Sequence, residues 1–301
     1  SAGKRKLLTF SGLQNYFFEA IQTLAANKLR SFLSILGVMI GVSSVIAMLA
    51  IGTGAQKSVE QSLSALGTNL LMVRASHSQR GISFGTESQT RFTFEDLEAI
   101  KRLDSVARVV PYVSGRAQAV YGGRNWSTQI VGVNSDYQYV RDSVPTQGKF
   151  FSDADISSRS KVAVIGKTVA DELFGGDNPV GKYIRLNRIS FLVIGVLPEK
   201  GITGFRNADD QIIIPVTTAM YRVIGTDYIS YFDVQVKDAE SIPYAQEEIA
   251  ATILRLHRMN ESESENIEIR NMAEIQKTAM QMTQTFSYLL GAIAAVSLLV
   301  G

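Results

Sequence analysis

The residues able to do chemistry are few and scattered. The chain holds two histidines, His77 and His257, far apart in sequence and outside any HExxH-type ligand spacing. Each is expected to be structural or solvated. There is no cysteine, which excludes thiolate catalysis, disulfide stapling and cysteine-ligated zinc. The nearest approach to a phosphate-binding loop is Gly52–Ser58, GTGAQKS. It lacks the GxxxxGK[ST] spacing and a preceding strand, and it adjoins an apolar run. No GxSxG elbow is present. The acidic pairs Asp153/Asp155 and Asp209/Asp210 read as turns or solvated edges. Acid–base catalysis needs a poised base beside a second positioned group, and no segment offers that. No catalytic, cofactor-binding or metal-ligating residue is expected in this chain.

The elements that carry these residues are more informative. No ionisable residue lies between Arg30 and Lys57, and the core of that run, Phe32–Ile51, reads FLSILGVMIGVSSVIAMLAI. A helix of about 20 such residues spans a bilayer core of roughly 30 Å. A second uncharged run follows Lys277 and reaches Gly301. Lys4, Arg5, Lys6, Lys28 and Arg30 precede the first run, so the net charge of +2 originates at the N-terminus. That is the cytoplasmic signature of a membrane helix rather than a nucleic-acid surface. A retained helix is preferred to a signal peptide, because the run starts late and its apolar core is long.

Phe10–Lys28 reads as an amphipathic helix, with Leu13, Phe17, Ile21 and Leu24 on one face, lying at the cytoplasmic interface, packed against a soluble partner, or both. Gly37 and Gly41 begin a small-residue strip suited to helix packing within the membrane. Val59, Leu63 and Leu66 extend the first helix as a stalk, with Gly52-Thr53-Gly54 a point where it could fray or bend. Asn69–Ala75, Val106–Val113, Arg116–Tyr121 and Asn125–Val133 read as strands, with Thr93 capping a helix and Gly122-Gly123 a hairpin turn. His77–Gln89 is a polar, Gly/Ser-rich loop. A strand-rich stretch then carries Val162–Ile165, Tyr183–Leu186, Phe191–Leu197 and Gln211–Pro215. Ser230–Val236, a helix over Ile242–His257 and Ile267–Arg270 return to the first pattern. Met272–Met282 rises into an apolar helix, Phe286–Val300, expected to be truncated.

Several segments in order resemble the MacB-type permeases of ATP-binding-cassette transporters, within the FtsX-like superfamily. They are NKLRSFLSILGVMIGV (Asn27–Val42), GTGA (Gly52–Ala55), GKFFSDAD (Gly148–Asp155), VAVIG (Val162–Gly166), LFGGDNPVGK (Leu173–Lys182), FLVIGVL (Phe191–Leu197) and IIPVTTA (Ile213–Ala219). Lys149 stands where the family usually has Arg. The resemblance implies an α+β fold: an extracytoplasmic two-lobed domain between two transmembrane helices, with long stalk helices and an N-terminal amphipathic helix. It implies a bacterial inner-membrane protein working as a homodimer or pseudo-symmetric heterodimer. Its partner would be an ATP-binding-cassette ATPase, fused or separate, which would hold ATP and Mg. A periplasmic adaptor and an outer-membrane exit duct are further implied partners, and drugs, peptides or siderophores the implied substrates. An FtsX-like scaffold or sensor, or lipoprotein release, is the alternative.

The expected division is 1–30 cytoplasmic amphipathic segment, 31–56 first transmembrane helix, 57–68 stalk, 69–141 porter-like lobe, 142–229 inserted strand-rich lobe, 230–271 second part of the porter-like lobe, 272–285 stalk and 286–301 second transmembrane helix. The expected coupling residues are Phe17, Ile21, Val59 and Leu63, and the expected membrane-packing residues Gly37 and Gly41.

Overall fold

The computed structural model describes residues 28–64, 69–76, 91–203, 206–260 and 266–300. The chain divides into two units, Ser1–Ser58 with Met280–Gly301, and Val59–Ala279. The first unit contains most of helix α1 (Lys28–Ser64). Its stretch Ile35–Gly54 is the one segment among the described residues long and apolar enough to cross a membrane. Phe32, Ile40, Ile46 and Ile51 are each more than 60% exposed, an apolar surface that lipid rather than water would cover. Gly52-Thr53-Gly54, a point where the helix could fray, does not interrupt it. The helix continues to Ser64, and Thr53 Oγ1 donates back to the Leu49 carbonyl at 2.8 Å.

The second unit starts from an antiparallel sheet. Strand β1 (Leu70–Ala75) leads to helix α2 (Phe94–Lys101) and then to β2 (Val106–Tyr121) and β3 (Arg124–Val133). Thr93 caps α2 as expected: its Oγ1 accepts the Glu95 N–H, and Asp96 Oδ2 accepts the Thr93 N–H at 2.8 Å. Near the other end of the unit come β11 (Tyr231–Val236), α7 (Ile242–Leu256) and β12 (Ile267–Asn271). The order β12-β1-β11-β2 is antiparallel throughout. Alternation places Leu71, Val73, Phe232 and Val234 on one face, in a cluster with Leu97 and Ile100 of α2 and Ile249 and Ile253 of α7.

Strand β2 belongs to a second layer as well. The sequence pattern predicts two strands with a break near Gly115, but β2 is one strand of 16 residues. Its first half pairs with β11 and its second half with β3. Between β3 and β11 lie α3 (Tyr137–Val140), β4 (Gln147–Gly148), α4 (Asp153–Ser157), β5 (Val162–Ile165), α5 (Lys167–Phe174), β6 (Tyr183–Leu186), β7 (Ile189–Val196), the short pair β8 (Ile202–Thr203) and β9 (Arg206–Asn207), β10 (Gln211–Pro215) and α6 (Val216–Ile224, its latter part a π-helix). Pairings β2–β3, β3–β10, β10–β5, β5–β7, β7–β6 and β6–β2 close a ring of six strands. Ala119, Ile130, Ile165, Ile184, Leu186, Phe191, Val193 and Ile212 form one buried cluster with these strands, small residues of β2 meeting large ones elsewhere. Val131, Val164 and Ile213 join a different cluster with Tyr137, Phe150 and Phe151. The central strands are therefore buried on both faces, which is why they read as unbroken apolar runs. The closed barrel takes β2 and β3 from before residue 142.

Two of the glycines in the resemblance segments are packing requirements. Gly148 has φ +75°, and a Cβ there would lie 2.1 Å from the Ile194 carbonyl oxygen; a Cβ on Gly195 would lie 2.6 Å from that of Lys149. Strands β4 and β7 touch backbone to backbone only if both positions lack side chains. Replacing Gly195 with alanine is expected to cost about 1–3 kcal/mol, read as a lowered urea midpoint. An unchanged midpoint would contradict the close approach.

Candidate functional site

On α1 the less exposed positions are Gly37, Gly41, Ser44, Val45, Met48 and Gly52. They recur every three or four residues, so they form one helical stripe. Gly37 and Gly41 thus share a face, with Gly41 buried. The last helix, α8 (Met272–Val300), shows the same device at Met280, Thr283, Ser287 and Leu290. A Cβ on Gly52 would sit 2.9 Å from Ser287 Oγ. Small residues here let two helices approach closely. Val59 and Leu63 lie in the last turns of α1. Phe17, Ile21 and the rest of the expected amphipathic helix lie outside the described residues, as do His77 and the 77–89 loop.

The junction of β12 with α8 has no intervening loop. Asn271 is the last residue of the strand, paired with Leu71, and Met272 is the first of the helix. The Asn271 side chain is 9% exposed, and its Oδ1 accepts the Ala273 N–H at 2.9 Å. It takes one of the four amide hydrogens that a helix start leaves unpaired. Strand β1 begins at Leu70, soon after α1 ends at Ser64. Both long helices therefore connect to adjacent strands of one sheet.

A buried ion pair holds the opposite face of that sheet. Asp233 of β11 is fully buried, and its Oδ2 accepts from Arg141 Nε at 2.9 Å and Nη2 at 2.5 Å. Arg141 Nε also donates to Tyr112 Oη at 3.1 Å, and Tyr112 stacks on Tyr231 with centroids 4.4 Å apart. Burial opposes the guanidinium charge, but the Tyr112 oxygen and the Asp233 carboxylate outweigh it and hold Arg141 more firmly protonated than usual. Burial, then Asp233, pushes the Tyr112 phenol well above its ordinary range. Lys200, whose charge burial disfavours, donates to the Arg141 carbonyl and to Ser143 Oγ. The pair joins the returning strand β11 to the segment that leads into β4 and the barrel.

This arrangement positions elements of the fold. Among the described residues no three His, Asp or Glu side chains gather to hold a metal. His257 Nε2 lies 2.9 Å from Asp96 Oδ1, tying the end of α7 to the start of α2. Asp153 and Asp155 sit in the first turn of α4, where the Ser152 N–H holds the Asp155 carboxyl below its usual range. Asp209 lies in a turn, as expected, but a buried one: it is 5% exposed and accepts the Lys200 and Gly201 N–H groups at 2.8 and 2.7 Å. Asp210 accepts from Trp126 Nε1 and Thr128 Oγ1, both at 2.8 Å. An open polar groove of about 570 Å³ beside α5 includes Gln147, Lys167, Asp177 and Asn178 in its lining, with Lys167 already paired to Asp171. Sequence reasoning missed Arg141, Asp233 and Asn271. The faint signal for Asp233 was its place inside YFDVQV, a strand otherwise built to be buried.

The described residues thus form an α+β domain containing a closed barrel, and a helix long and apolar enough to cross a membrane. A family model described as "MacB-like periplasmic core domain" matches residues 31–252, and the chain belongs to that family, within the MacB/FtsX-like superfamily. The macrolide export ATP-binding/permease protein MacB of Chlorobium luteolum is 47% identical over 278 residues, covering 92% of this chain and 42% of that protein. The chain spans less than half the length of this and other curated relatives. The extracellular domain of the noncanonic ABC-type transporter YknZ from Gram-positive bacteria aligns with a TM-score of 0.57 at 25% identity, over 67% of this chain and all of that one. The periplasmic region of MacB from Actinobacillus actinomycetemcomitans shares the fold, with a TM-score of 0.59 at 20% identity over 72% of this chain and 94% of that one.

Removing one member of the buried pair leaves the other charge without a partner. Arg141→Met is expected to cost about 3–5 kcal/mol, and Arg141→Met with Asp233→Leu markedly less. Urea unfolding followed by Trp126 fluorescence measures both. Equal losses in the single and double variants would contradict the charge-based account.

Proposed function

We propose that this chain is the permease portion of an ATP-driven export system. Hydrolysis in an ATP-binding-cassette ATPase, fused or separate, would move the extracytoplasmic domain so that it helps expel drug, peptide or siderophore-like substrates. The observation that carries this reading is the connection of α1 and α8 to the neighbouring strands β1 and β12, in a chain that belongs to the MacB-like family. A change in spacing between the two helices would load one sheet, and the long strand β2 would pass that load toward the barrel. ATP and Mg would bind in the ATPase, not here.

The reading places the protein in the bacterial inner membrane with its large domain outside. The apolar half of α8, from Phe286 onward, would serve as a second membrane helix and Met272–Thr285 as its stalk. Copies would pair as a homodimer or a pseudo-symmetric heterodimer. Gly37 and Gly41 would pack helices within the bilayer, and Val59 and Leu63 would transmit motion along the first stalk. Phe17 and Ile21 would place the amphipathic segment against the membrane surface and the ATPase. A periplasmic adaptor and an outer-membrane duct would receive the substrate. The macrolide named for the Chlorobium luteolum relative supports drug-like cargo.

A disulfide between Val59→Cys residues of two copies fixes the stalk spacing. In the full-length protein it should abolish substrate export while ATP hydrolysis persists, and reduction should restore export. In the same assay Phe17→Glu and Ile21→Glu should weaken the dependence of hydrolysis on the permease. Undiminished export from fully cross-linked protein would contradict mechanical transmission.

A further inference from the structure

We propose that the outer edge of β12 is a contact surface for a second copy of this chain, the two β12 strands pairing antiparallel about Ile269. This rests on the reading that copies pair in the membrane.

Strand β12 ends the sheet order, with β1 as its strand neighbour and no strand on its far side among the described residues. Exposed strand edges are normally guarded by shortness, charged side chains, proline, a bulge or a covering element. Ile267–Asn271 is short and carries Glu268 and Arg270, but it holds no proline and its register with β1 runs from Leu71↔Asn271 to Ala75↔Ile267 without a shift. Ile267 and Ile269 are half-buried beside the α2/α7 cluster. Glu268 and Arg270 occupy the other face, side chains 38% and 52% exposed, and pair with each other at 2.5 Å.

That spacing is self-complementary. In an antiparallel pair of identical strands centred on Ile269, Glu268 of each copy faces Arg270 of the other. Centring on Glu268 sets carboxylate against carboxylate, centring on Arg270 sets guanidinium against guanidinium, and parallel in-register pairing opposes like charges at both positions. Only one of these registers gains two cross-strand ion pairs. It is also isologous, as a two-fold dimer requires. Copies in one bilayer share a two-fold along the bilayer normal, so the pairing requires β12 to cross that normal.

Five residues a side bury far less than the roughly 1,200 Å² of a stable interface. The edge therefore acts on copies that other contacts already hold near each other, where effective concentration makes a weak contact count. Because α8 follows β12 without a loop, closing the edges would fix the starts of the two α8 helices at opposite ends of the strand pair, about 20 Å apart. The contact is a clasp that opens and closes with the spacing of the stalks.

The chain has no native cysteine, so Ile269→Cys reports the contact cleanly. Directly opposed strand residues have Cα atoms about 4.5–5.5 Å apart, within disulfide reach. The full-length protein carrying Ile269→Cys, in membrane vesicles, is oxidised with and without ATP and Mg. A cross-linked dimer is expected in one of the two states. Adding Glu268→Arg should reduce it several-fold, and so should adding Arg270→Glu. Co-expressing these two variants should restore it, although each copy lacks its internal ion pair. Val59→Cys reports independently on whether copies pair. Cross-linking through Val59→Cys but not Ile269→Cys, in both nucleotide states, overturns the clasp and leaves the paired-copy reading intact. Failure of both overturns the clasp together with that reading. Equal cross-linking in all charge combinations overturns the register.

Discussion

The pairing of β1 with β12 is the constraint on which the rest of the account turns. Leu71 to Ala75 and Ile267 to Asn271 form one short antiparallel ladder, and a long helix is attached to each of its strands. A flexible linker at either attachment would let the helices move without consequence for the domain. At α8 no linker intervenes, and Asn271 is at once a strand partner and the cap of the helix. The capped start costs little to maintain, because the amide it satisfies would otherwise be left buried or bonded to water.

Beyond the ladder, two kinds of packing keep the domain in one piece. Apolar strands close a barrel with small alanines of β2 facing larger residues, and the outer sides of β3, β5 and β10 are covered in turn. Such packing is non-directional and tolerates small adjustments. The Arg141–Asp233 pair does the opposite. A fully buried carboxylate accepts from one planar guanidinium that also reaches Tyr112, so it specifies a single relation between β11 and the segment entering the barrel. Buried pairs contribute little net stability but penalise a missing partner heavily.

Much of this was legible in the residues. The charge gap between Arg30 and Lys57, the Thr93 cap, the Gly122-Gly123 turn and the return of strand, helix and strand after Ser230 all correspond to observed elements. These are local signals, each written in neighbouring residues. The failures have physical reasons. Gly115 reads as a break, yet its missing side chain leaves room for Ile224, so β2 runs through it. Asn187-Arg188 makes a tight turn with both φ angles positive and no glycine to announce it. Closure of the barrel depends on the contact of β6 with β2, far apart in the chain. Asp233 sits in a strand otherwise built to be buried, but nothing near it in sequence identifies its partner, because Arg141 lies far away in the chain.

The central claim is that the folded domain stands outside the membrane that α1 crosses. Tyr139 is the position to probe, since it is 58% exposed while neighbouring Tyr137 is buried. A Tyr139→Cys variant of this cysteine-free chain can be treated with a membrane-impermeant maleimide in cells with intact inner membranes. Labelling before lysis is the predicted result. Labelling only after the inner membrane is broken would place the domain in the cytoplasm and contradict the account.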